Sequence, residues 1–126
     1  MDGILKTHSC IIESGASRIM YKSMVYFAFD CTGGPSTILM DDDSEIPTIG
    51  KGRINIDYGW FMNVLYIPSL GVNILSVYQM THIGVQNKVV LTLDGVDISK
   101  ISTRKVIALG TANHDSKVYE FSHFLP

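Results

Sequence analysis

In Cys10-Ile11-Ile12-Glu13-Ser14-Gly15-Ala16-Ser17 an apolar strand runs straight into a tight turn. Cys10, Ile11 and Ile12 suit a pleated strand, and Ser14-Gly15 ends it, so one carboxylate, Glu13, stands at the first residue of the turn beside a hydroxyl and a glycine. Outward from this point the chain alternates short β-rich segments with turn signals. Ile4-Leu5 is a short strand upstream; downstream, 24–29 is a β-branched and aromatic run closed by Thr32-Gly33-Gly34-Pro35, and 36–40 is a further strand before the acidic turn Asp41-Asp42-Asp43. Residues 46–57 alternate around Gly50 and Gly52, and Tyr58-Gly59 turns the chain into 60–67, a long hairpin stopped by Pro68. From Val72 onward Ile74, Leu75, Tyr78 and Ile83 fall near helical spacing, with Gly84 in the place of a C-terminal glycine cap, which predicts one short helix. Strand signals return at 85–93, 96–101, 106–109 and 118–121, with Asp94-Gly95 as a hairpin turn. A mostly β chain with a single short helix implies a small barrel or sandwich.

The 126 residues suit one domain, 1–126, and 46% hydrophobic against 17% charged residues exclude a disordered segment. Ten basic and twelve acidic side chains, net charge −2, leave no excess of cations to neutralise phosphates, which argues against direct nucleic-acid binding. Cys10 and Cys31 can form at most one disulfide, the start of the chain lacks a signal-peptide pattern, and no apolar run approaches the ~18–20 residues of a membrane span. The expectation is a soluble, intracellular, cytoplasmic domain. No metal or cofactor is expected: Asp41, Asp43 and Glu45 have the first spacings of a calcium loop, but Ile46 and Gly52 stand where its glycine and bidentate glutamate belong. His8 and Cys10 lie two apart, while His82, His114 and His123 are scattered without ligand spacing, which suits solvated or structural histidines.

A carboxylate in a Ser-Gly turn suits the chemistry in which two carboxylates about 3 Å apart share one proton, one activating a water and the other protonating a scissile carbonyl. The same five residues also fit an ordinary strand-to-turn junction with an exposed glutamate. Three ordered blocks add a resemblance: Ile11-Ile-Glu-Ser-Gly-Ala-Ser-Arg-Ile-Met20, Asn63-Val-Leu-Tyr-Ile-Pro-Ser-Leu70 and Asn73-Ile-Leu-Ser-Val-Tyr-Gln-Met80, followed by Gly84. Together they resemble the retropepsin-like aspartic protease domain of copia-type LTR retrotransposon Gag-Pol polyproteins, and Ile46-Pro-Thr-Ile-Gly-Lys-Gly52 and Val118-Tyr-Glu-Phe121 resemble its glycine-containing and closing strands. Two positions depart from that pattern: Glu13 stands for the family's catalytic Asp and Ile19 for its usual His.

The resemblance implies a small closed β-barrel of the retroviral protease kind and an endopeptidase working on a peptide or polyprotein as a homodimer. One Glu13 from each subunit would meet at a two-fold axis, with Ser14 and Gly15 completing the catalytic turn and Ile74-Leu75 packed beneath it. Ile49, Gly50, Lys51 and Gly52 become a candidate substrate-covering flap, although glycines there suit a bulge or barrel corner equally well. Activity would favour mildly acidic pH, and the terminal strands, if near a sheet edge, could pair across the dimer. The alternative is a catalytically inactive, host-adopted module that keeps the fold for binding or assembly.

Overall fold

A computed structural model describes residues 9–28, 36–39, 44–56, 58–84 and 86–126. The strand expected at Ile4-Leu5, Cys31, the breaker 32–35 and the acidic turn 41–43 lie outside the described residues. Within them the chain is mostly β with a single short α-helix, a small β-barrel fold whose main sheet curls into a half-barrel.

The first strand, β1 (Cys10–Glu13), ends at the Glu13 turn, and the chain returns as β2 (Met20–Tyr21). After β3 (Ser36–Leu39) and β4 (Glu45–Thr48) come the hairpin arms β5 (Gly50–Ile56) and β6 (Gly59–Tyr66), then β7 (Asn73–Ser76) and α1 (Val77–His82). A four-stranded run closes the chain: β8 (Asn87–Leu91), β9 (Gly95–Lys100), β10 (Val106–Asn113) and β11 (Val118–Phe124). Nine strands form one sheet in the order β5-β6-β2-β7-β1-β11-β10-β9-β8, while β3 and β4 pair separately.

At the centre of that order β7 is inserted between β1 and β2, parallel to β1 (Ile12 opposite Leu75, Glu13 opposite Ser76) and antiparallel to β2 (Met20 opposite Ile74). Strand alternation then sends the two faces to two cores. Cys10, Ile12, Ile19, Tyr21 and Leu75 point into the curl with Ile54, Phe61, Val96, Ile98, Phe121 and Phe124. On the other face Met20, Leu65 and Ile67 are buried with Ile74 and Ile46, so β4 covers the outside of the half-barrel.

Several sequence expectations shift. Residues 24–28 do not form a strand: Ser23 caps a 3-10 turn, Met24–Tyr26, and Phe27 bridges to Ile54. The expected arm 46–57 breaks at Ile49, its first part pairing with β3 and its second with β6. Ile74 and Leu75 belong to β7 and not to the helix, which starts only at Val77 because Ser76 caps it; the helix is six residues long. Gly84, at φ +68°, does follow the helix in the left-handed conformation expected of a terminating glycine. The hairpin joining β8 and β9 closes with Thr92 N–H donating to the Gly95 carbonyl (2.9 Å), which puts Leu93-Asp94 at its tip, one residue earlier than expected. Gly95 is required for a different reason, since a Cβ there would lie 2.6 Å from the Gly110 carbonyl oxygen on β10. Finally, β11 lies between β1 and β10, so the closing strand is not a free edge; the ends of the main sheet are β5 and β8.

Candidate functional site

Glu13 is the last residue of β1 and half-buried, while Ser14 and Gly15 beyond it are exposed. The carboxylate folds back over the turn, and a Cβ on Gly15 would sit 3.7 Å from its Oε1, an ordinary contact. The turn is held from below by the start of α1. The fully buried Ser76 hydroxyl donates to the Ala16 carbonyl (2.6 Å) and accepts the Gln79 N–H (3.1 Å). The Gln79 side-chain amide donates to the Ser17 carbonyl (2.9 Å). At the opposite end of β7, buried Asn73 donates to the Ser9 carbonyl (3.1 Å) and accepts from Lys22 N–H (2.9 Å), which pins the start of β1 to the end of β2. Ser76 and Gln79 had a sequence signal, Ser-x-x-Gln ahead of a helix, which is the spacing of a capping box; here the glutamine side chain holds the turn instead of closing the box.

Ile19, standing where the resembled family has histidine, is a core residue, 3% exposed, whose carbonyl accepts the Leu65 N–H at 2.9 Å. Gly50, Lys51 and Gly52 are not at the tip of the β5–β6 hairpin. They pair with Tyr66, Leu65 and Val64 near its base, after an exposed Ile49, and a register shift follows between Gly52 and Ile54. Asn63 on the facing arm takes φ +57°, and its carbonyl accepts from the Arg18 guanidinium (3.3 Å). Such a bulge increases local twist and reverses the in-out pattern, so Phe61 and Val64 both point inward across it. The far part of the hairpin therefore curls toward β11. Its Gly59 lies so close to Phe124 that a Cβ would be 2.5 Å from the ring, and Phe61 meets Phe121 and Phe124 at centroid distances of 5.7 and 5.2 Å.

Between the hairpin tip, α1 and β8–β10 lies a cavity of about 340 Å³, reached by Trp60, Met80 and Ile98 and walled at one end by Phe124. Gln79 lines it too, so one side chain touches both this cavity and the Glu13 turn. Glu13 is not among the lining residues. The cavity leaves no local signal in the sequence, because its walls come from segments distant in the chain.

Among the described residues no three His, Cys, Asp or Glu side chains gather as a metal site, and no helix is long and apolar enough to cross a membrane. Burial pushes the Cys10 thiol up to about 12, with Tyr21 as a smaller opposing influence; burial likewise raises the Tyr21 phenol. Both are inert core groups at neutral pH.

A family model described as the Pol polyprotein β-barrel domain matches residues 10–85, from β1 to just past α1. The chain belongs to that family. The match covers the Glu13 turn, the β5–β6 hairpin and the inserted β7, and leaves β8–β11 outside it. No curated protein and no solved structure matches this Pol-type barrel.

Proposed function

We propose that this Pol-type barrel is an endopeptidase of the retropepsin-like, copia-type class, which pairs two Glu13 turns in a homodimer. The observation that carries the reading is the Glu13 turn itself. It is a half-buried carboxylate at the end of an inner strand, with its backbone clamped by Ser76 and Gln79 and with exposed Ser14 and Gly15 leaving its outer side open. Such clamping supplies the preorganised placement that paired-carboxylate catalysis needs. In the reaction, one carboxylate takes a proton from a water whose oxygen attacks the peptide carbonyl carbon, and the other carboxyl gives its proton to the carbonyl oxygen. Collapse of the resulting diol breaks the C–N bond, and the proton passes to the leaving amine. In this reading Ile49, Gly50, Lys51 and Gly52, at the base of the β5–β6 hairpin, are the substrate-covering segment, bending where the ladder shifts register beyond Gly52. Substrate is a peptide or the parent polyprotein.

A second reading, a binding module without turnover, is favoured by one observation: the cavity beside α1 has no aspartate or glutamate among the described residues of its walls. Peptide-library cleavage by three proteins separates the two. Glu13→Asp, which removes the extra methylene, raises cleavage above the native sequence, and Glu13→Gln abolishes it. Equal inertness of all three, in proteins that remain folded, leaves the binding module as the function.

A further inference from the structure

The cavity beneath the hairpin tip has an unusually apolar mouth. Tyr58, Trp60, Met62 and Ile83 line it and remain 69%, 59%, 53% and 43% exposed, a concentration of large side chains that soluble chains seldom leave uncovered. Aromatic and methionine side chains are enriched where proteins meet partners, and methionine adapts to irregular shapes. At about 340 Å³ the cavity is at the small end of ligand-sized pockets, enough for one or two side chains of an inserted segment. Among the described residues that line it, Lys100 and Lys105 are the charged side chains, held side by side by Lys100 N–H donating to the Lys105 carbonyl at 2.9 Å. Of the polar amides in the lining, Gln79 donates to the Ser17 carbonyl and Asn87 to the Met80 carbonyl.

We infer that this cavity docks a peptide segment in which a bulky apolar side chain is followed by acidic residues, the apolar group entering between Trp60, Met62 and Ile83 and the carboxylates meeting Lys100 and Lys105. Two cations at an apolar mouth, in a chain of net charge −2, fit a short acidic peptide and not a phosphate backbone, which needs a wide positive surface. The site holds no Glu13, so the inference rests on neither reading of catalysis.

Trp60 is the only tryptophan of the chain and sits in the mouth, so its fluorescence reports occupancy directly. The probes are acetylated, amidated peptides Gly-Leu-Phe-Asp-Glu-Gly and Gly-Leu-Phe-Lys-Lys-Gly. Saturable change in Trp60 emission with the acidic peptide alone, weakened about tenfold by Lys100→Glu with Lys105→Glu and left intact by Glu13→Gln, supports the site. Lys105→Glu alone, at an exposed position, gives a smaller weakening and guards against misfolding of the double variant, with circular dichroism as control. Equal response to both peptides, indifference to charge reversal, or no saturable response up to millimolar peptide overturns it. So does a Trp60 emission that shifts with protein concentration in step with sedimentation, because a second copy then covers the mouth.

Discussion

Ser76 is fully buried, yet its hydroxyl has both a donor and an acceptor role, toward Ala16 and from Gln79. Truncation leaves the Ala16 carbonyl and the first turn of α1 without that partner. We expect Ser76→Ala to lower stability by about 1–3 kcal/mol, the usual range for an unsatisfied buried group plus a lost helix cap, read from urea midpoints. A loss under about 0.5 kcal/mol would show that the turn stands without it. Gly15 lies at the opposite extreme. With nothing closer than Glu13 Oε1 at 3.7 Å, Gly15→Ala should leave the single chain's stability within about 0.5 kcal/mol. If two turns face each other as proposed, the same methyl blocks their approach, so sedimentation of this variant should show monomer where the native chain self-associates. Loss of folding instead would mean the turn needs glycine for its own sake.

For the hairpin, sequence and structure part in an instructive way. Its turn was legible from local residues to within one residue, since Gly59 is already the first residue of β6 and pairs with Ile56; the bulge beyond Gly52 and its consequence, a tip laid against β11, were not. Gly59 passes under the Phe124 ring at a distance no side chain tolerates, so Gly59→Ala must push the tip or the ring away. We expect a cost of about 1–3 kcal/mol, typical of overpacking, and a changed Trp60 emission as the neighbouring residue moves. An unchanged spectrum and stability would place the tip elsewhere in solution. Helical spacing likewise misled at Ile74 and Leu75: four residues alternating between two cores are a strand, and their period was hidden by the helix that Ser76 starts two residues later.

Among the described residues the curl is closed by side chains and not by a strand ladder, with Phe61, Phe121 and Phe124 joining β6 to β11 over the core. Cys10 and Tyr21 lie fully buried in that core. Because burial raises the Cys10 thiol from 9.0 to about 12, the unfolded chain loses this proton first as pH rises. Stability contributed by the neutral thiol is therefore complete below about pH 9 and drains away toward pH 12, with Tyr21 adding to the decline in the same direction. The melting temperature should fall steadily over that window and less steeply in Cys10→Ala. An identical slope in both proteins would mean the thiol is accessible to water.

The sequence by itself determined the class of fold, the Glu13 turn, the presence of a hairpin turn just before Gly59 and the glycine that ends the helix, since each follows from neighbouring residues and strand or helix period. Only the tertiary structure decided that β7 runs between β1 and β2, that Ser76 and Gln79 grip the Glu13 turn, that β11 is an inner strand, and that Trp60 and Lys105 share a cavity. Those arrangements depend on which distant segments are adjacent, and proximity between residues so far apart in the chain leaves no trace in local periodicity.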